Sequence, residues 1–134
     1  MDFDRAIALH PEEAWAAYIN RAWIFAERGE YQQALDNCKH ALQLDIHSEI
    51  VYADRGRVYL WQGDYSSAEA DCERALEIAP TCAEAYGVRG LLYYQQKQYT
   101  KAQVDFAQAQ TFGQNLYWIQ DEYSEVCRIV DEEI

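Results

Sequence analysis

Displaced by 34 residues, the sequence lies over itself. Tyr18, Tyr52 and Tyr86 coincide, as do Arg21, Arg55 and Arg89, and then Tyr31, Tyr65 and Tyr99. Ala34, Ala68 and Ala102 follow, and after them Ala41, Ala75 and Ala109. Recurrence at a fixed period marks a solenoid, because a short unit cannot bury its apolar face alone and does so against its neighbours. Such an architecture offers an extended surface, which favours recognition over chemistry.

Each unit reads as two helices. In the second copy Tyr52, Arg55, Gly56 and Tyr59 share one helical face, and the segment runs to Trp61. Gln62-Gly63-Asp64 is a turn in which Gly63 is expected at positive φ, ending the first helix. The second helix carries Ala68, Cys72, Ala75, Leu76 and Ile78, and Pro80 closes it by withholding a backbone donor. Alanine at two fixed places per copy keeps crossing helices close; a larger side chain there is expected to cost ~1–3 kcal/mol in strain.

This pattern resembles the tetratricopeptide repeat. Its aromatic–small–aromatic–Ala–aromatic–Ala–Pro skeleton corresponds here to Tyr52, Gly56, Tyr59, Ala68, Cys72, Ala75 and Pro80. The third copy supplies Tyr86, Gly90, Tyr93, Ala102, Phe106 and Ala109, and the first supplies Tyr18, Ala22, Phe25, Ala34, Cys38 and Ala41. Ile46 and Gln114 stand where the first and third copies would close with proline. The resemblance implies an all-α, right-handed superhelical solenoid of stacked antiparallel helix pairs, forming a single domain over residues 1–134. Its expected parts are repeats at 14–48, 49–82 and 83–116, a half-repeat helix at 2–11 and a capping helix at 117–133. Phe3, Ala6, Leu9 and Pro11 read as the tail of a preceding second helix, so the chain is expected to be a piece of a longer array or to carry a half-repeat cap. Leu116, Ile119, Tyr123, Val126, Cys127 and Val130 form the apolar stripe of the last helix, with Gln120, Asp121, Glu122 and Glu125 opposite. A sharper reading makes this tail a mimic of a bound peptide.

Eleven Lys and Arg against 23 Asp and Glu leave a formal charge of −12. A phosphate-binding surface needs clustered cations, so nucleic acid and anionic membranes are poor partners. No run approaches a membrane span and the first residues lack the basic and apolar parts of a signal peptide, so a cytoplasmic setting is expected. Cys38 and Cys72 are one period apart and Phe106 takes the third place, so that slot wants a buried apolar side chain. Core thiols are therefore expected rather than disulfides or metal ligands.

His10, His40 and His47 have neither metal-ligand nor nucleophile–base spacing, and Cys38 and His40 point to different helical faces. No phosphate-binding glycine loop is recognisable. The expected protein is not an enzyme and holds no cofactor or metal. Arg55 and Asp71 are 16 residues apart, as are Arg89 and Asp105, while the first copy has Arg21 and Asn37. Folding each hairpin is expected to pair arginine with acid, which satisfies a partly buried guanidinium. The alternative, a ladder of arginines gripping an acidic ligand, requires the acids to point away.

The resemblance implies that a partner peptide enters the concave face made by the first helices. Stepping along those helices gives Ile19, Trp23 and Glu27 from copy one; Ile50, Asp54, Arg57 and Trp61 from copy two; and Glu84, Val88 and Leu91 from copy three. Trp23, Arg57, Trp61 and Leu91 are the natural anchors among them. Members of the family that hold acidic chaperone tails do so with Lys, Asn, Asn, Lys and Arg; the matching positions here are Ile19, Trp23, Asp54, Glu84 and Val88. None is cationic, so acidic chaperone tails are expected to be excluded in favour of apolar or basic segments. The function expected is a protein-interaction scaffold that docks such a segment. The alternative is a structural self-association module, with Tyr117, Trp118 and Tyr123 as contacts in a homo-oligomer.

Overall fold

The computed structural model describes residues 10–113 and 116–132. Its helices are α1 (Pro11–Glu27), α2 (Tyr31–Gln43), α3 (Ser48–Gln62), α4 (Tyr65–Ile78), α5 (Ala83–Gln95), α6 (Tyr99–Phe112) and α7 (Gln120–Glu132), with a 3-10 turn at Tyr117–Ile119 before the last. Consecutive helices pair as α1–α2, α3–α4 and α5–α6, the pairs stack in order, and α7 covers α6. Over the described residues the result is an all-α superhelical solenoid of three antiparallel hairpins and a terminal helix. The expected helix at 2–11, with Phe3, Ala6 and Leu9, lies outside the described residues up to residue 9, as does Gln114. Pro11 belongs to no preceding helix: it opens α1, where its missing donor and fixed φ are tolerated.

The hairpin turns repeat as faithfully as the helices. Glu30, Asp64 and Gln98 each donate their backbone N–H to the carbonyl five residues back, on Phe25, Tyr59 and Tyr93, at 2.9 Å. One residue earlier, Gly29, Gly63 and Lys97 donate to Ala26, Leu60 and Tyr94 at 3.0 Å. This paired bonding is the Schellman cap, whose penultimate residue adopts left-handed backbone. Gly29 and Gly63 have φ of 77° and 88°, and Lys97 is held at 61° without glycine's freedom. Asp64 then caps α4, accepting from the Ser67 N–H at 3.2 Å and from its hydroxyl at 2.7 Å.

The six register alanines, Ala34, Ala41, Ala68, Ala75, Ala102 and Ala109, are wholly buried, as are Cys38, Cys72 and Phe106 in the shared slot. Each slot residue faces a compensating small one. A side chain added at Gly90 would begin 2.6 Å from the Phe106 ring, whereas one at Gly56 would meet the Cys72 sulfur at an ordinary 3.5 Å. Ile78, expected on the apolar face of α4, is 42% exposed because it ends the helix beyond the packed turn.

Arg55 donates from Nε and Nη2 to both oxygens of Asp71 at 2.8 and 2.7 Å, and Arg89 does the same to Asp105 at 2.7 and 2.9 Å. Hydrogen bonding to its acid raises each guanidinium's proton affinity against the opposing effect of burial. In the first hairpin Asn37 turns instead to the Gln33 carbonyl of its own helix at 2.8 Å.

Candidate functional groove

The concave side is built around one cation. Arg57, on the inner face of α3, lies with its guanidinium carbon 5.0 Å from the Trp23 ring, 5.3 Å from Trp61 and 4.2 Å from Trp118. Those rings come from α1, α3 and the 3-10 turn, so a single side chain clasps successive layers of the stack. The Trp23 and Trp61 rings meet at 5.4 Å. Each face-on contact with a cation contributes ~0.5–2 kcal/mol, more as water is excluded. The Arg57 Nε is buried with no hydrogen-bond acceptor among the described residues. Desolvation lowers the affinity of this guanidinium for its proton, while Asp54, Tyr117 and Glu122 act the other way.

Beside the cage opens a cleft of about 430 Å³ lined by Arg57, Leu60, Trp61, Leu91, Gln95, Trp118 and Glu122, among others. Trp61 is 40% exposed at its mouth. Asp54, one turn before Arg57, is partly buried. Burial pushes its carboxyl up to about 7; Arg57 opposes the rise and the Glu84 carboxylate adds to it.

The expected groove residues therefore divide. Trp23, Arg57, Trp61 and Leu91 come together, with Asp54 at their side, although Leu91 is largely covered. Glu27 is exposed near the end of α1, and Ile50 is half-buried with Glu84 in a separate depression against Cys82. Ile19 and Val88 are corrections. Both are expected on the inner face, yet Ile19 packs with Tyr18, Ala22 and with Val51 of the next hairpin, and Val88 is 1% exposed, so neither side chain is open to a ligand.

Two cleft residues, Trp118 and Glu122, lie outside the set that the helical register of the first helices selects. Trp118 falls one period after Glu84, in the register of the inner face, although its place in the sequence puts it with the terminal helix. Glu122, assigned to the outer side of that helix, lines the cleft instead. The rest of the terminal stripe behaves as expected: Leu116, Ile119 and Val126 are buried, and the Tyr123 ring meets that of Phe106 at a tilt, 5.6 Å between centroids. The Tyr94 hydroxyl donates to Glu125 and pins α7 to α5; that bond, with burial, pushes the phenol up to about 12.

Among the described residues that line the cleft none is a Ser, Cys or His. Burial pushes the Cys38 thiol up to about 12 and the Cys82 thiol to about 11, and raises Cys72 as well, so these sulfurs stay protonated in the core. His40 stacks on Tyr18 at 5.3 Å. Among the described residues no three His, Cys, Asp or Glu side chains are gathered to hold a metal. No helix of the described residues is long and apolar enough to cross a membrane.

A stack of helical hairpins with an inner groove is the architecture of a repeat-built interaction module. The chain belongs to the tetratricopeptide repeat family, whose models match residues 25–92 and 83–112. Among solved structures it is similar to the first such domain of Spaghetti (RPAP3) bound to the HSP90 peptide SRMEEVD, at 17% identity and a TM-score of 0.74, over 87% of this chain and 95% of that one. The TPR domain of Sgt2 from Aspergillus fumigatus is similar at 20% identity and a TM-score of 0.72, over 89% and 80% of the two chains. The second such domain of human RPAP3, in complex with the HSP70 peptide SGPTIEEVD, matches at 22% identity and a TM-score of 0.66, over 87% and 97%. Comparison with curated protein sequences gave no match. At these identities the likeness is one of fold, and it lends no support to the expected exclusion of acidic chaperone tails.

Proposed function

We propose that this chain is a non-catalytic adaptor whose concave groove docks a segment of a partner protein bearing apolar anchors and a Lys or Arg. The observation that carries this reading is the convergence of Trp23, Trp61 and Arg57 beside an open cleft. Large rings and a guanidinium gain most from losing water, which makes them the usual anchors of an interface. A preformed groove also leaves most of the ordering cost with the ligand. Asp54 and Glu122 favour a basic residue in the segment, and an overall charge of −12 steers such a partner inward.

The test is a peptide array carrying basic-apolar segments and acidic C-terminal tails, probed with wild type, Trp23→Ala and Trp61→Ala. Basic-apolar peptides are expected to be retained by wild type and lost in both variants. Equal retention in all three removes the groove, and selective capture of acidic tails reverses the charge preference.

Self-association has one observation in its favour. Tyr117 is 82% exposed at the C-terminal end of the stack, while Trp118 and Tyr123 are engaged within the chain. Light scattering across a concentration series separates the two readings, because a strict monomer at high concentration leaves Tyr117 as ordinary surface.

A further inference from the structure

Trp118 is the odd member of the terminal segment. Its neighbours Leu116 and Ile119 turn into the core, whereas its indole reaches across α5 to lie against Arg57 of α3. The passage depends on Gly87. A Cβ at that position would stand 2.6 Å from Cη2 of the indole and within 3.3 Å of two further ring carbons. The corresponding position in the second copy is Ala53, so the notch is found in the hairpin beneath the ring. Gly87 and the Arg57 guanidinium thus form a socket with the dimensions and the cationic floor suited to an aromatic ring. The socket adjoins the open cleft and is filled from within.

We infer that Trp118 is a tethered pseudo-ligand, occupying an aromatic subsite that receives a Trp, Tyr or Phe side chain of the partner once the indole rotates away. This rests on the groove reading above and specifies it: the anchor is aromatic, and its flanks are neutral or basic. The resident ring shows what the socket holds, because the guanidinium meets a π-face rather than an acceptor oxygen. Asp54 and Glu122, which act on the Arg57 guanidinium, disfavour an anionic occupant. A ring attached to the chain competes at an effective concentration in the millimolar range, so its removal is expected to strengthen binding of a small aromatic probe at least about tenfold.

The experiment titrates N-acetyl-L-tryptophanamide into wild type and Trp118→Ala, followed by amide resonances at Gly87 and Arg57, with N-acetyl-L-leucinamide as the non-aromatic control. Saturable binding to W118A, at least tenfold tighter than to wild type and absent for the leucine probe, supports the subsite. Adding Gly87→Ala to W118A narrows the notch and is expected to weaken that binding. Equal binding to wild type and W118A overturns the proposal, as does no binding by a W118A protein of wild-type helicity. If W118A loses its helices, the Trp118 indole N–H of wild type decides: displacement by excess probe supports the subsite, and an unmoved resonance overturns it. The probe needs no partner, so loss of the subsite and loss of peptide docking in Trp23→Ala are separate results.

Discussion

Arg55 and Asp71 face each other across the second hairpin as a two-pronged ion pair, 2.8 Å from Nε and 2.7 Å from Nη2, with the acid almost fully buried. One period later Arg89 and Asp105 repeat it. Removing the arginine leaves a carboxylate without water or partner. Arg55→Ala is therefore expected to cost about 3 kcal/mol, while a paired Arg55→Met, Asp71→Leu change costs much less. Urea unfolding of the two variants checks this. Equal losses would show that the pair contributes through its own attraction rather than by satisfying a buried charge.

The turn register supplies a second expectation. Gly29, Gly63 and Lys97 hold the same place in three Schellman caps, and Lys97 is the member whose side chain disfavours its φ of 61°. Left-handed backbone costs an L-residue ~1–2 kcal/mol, against which glycine's greater freedom in the unfolded chain must be set. Lys97→Gly is expected to stabilise by about 0.5–1 kcal/mol, seen as a higher thermal midpoint. A lower midpoint would mean that the lysine side chain makes contributions outweighing its backbone strain.

Much of the architecture was legible because its causes are local and periodic. The register alanines, the Gly63 turn and both Arg–Asp pairs follow from helical spacing and from folding one helix back on the next. The groove was legible less completely. Ile19 and Val88 lie at the edge of the inner face, and a helix wheel does not say whether an edge residue meets solvent or the next hairpin. Trp118 is not legible for another reason: its position depends on where an irregular turn aims a ring, and on the absent side chain of Gly87 two helices away from Arg57. Neither is written in the period.

Packing between register positions yields a third test. Phe106 fills in the third hairpin the slot that Cys72 fills in the second, and glycine opposite makes room for it. A methyl at position 90 begins 2.6 Å from two ring carbons of a wholly buried phenylalanine, so Gly90→Ala is expected to destabilise by ~1–3 kcal/mol. At position 56 the nearest atoms lie at 3.3–3.5 Å, and alanine's better helix propensity, worth ~0.5–1 kcal/mol, offsets most of the squeeze. Denaturant midpoints for the two variants should therefore separate clearly. Restoring G90A with Phe106→Cys, which copies the roomier second-hairpin slot, would show that ring contact is the cause.

Asp54 gives the groove a pH dependence whose sign can be worked out. Burial, with Glu84 nearby, pushes its carboxyl from 3.8 to about 7 in the folded chain, Arg57 offsetting part of the rise. Between those values the folded state binds more protons than the unfolded one, so this residue's contribution to stability falls as pH rises through the interval. Above about 7 the full cost of an ionised, poorly solvated carboxylate is present. Asp54→Asn keeps the shape of the protonated acid without the titration. Its stability advantage over wild type is expected to be small near pH 4 and to grow by about 1–3 kcal/mol between pH 5 and pH 8. Comparing the two proteins at each pH cancels the other carboxylates. Parallel stability curves would mean that Asp54 is already ionised at pH 5, and that Arg57 and solvent together outweigh its burial.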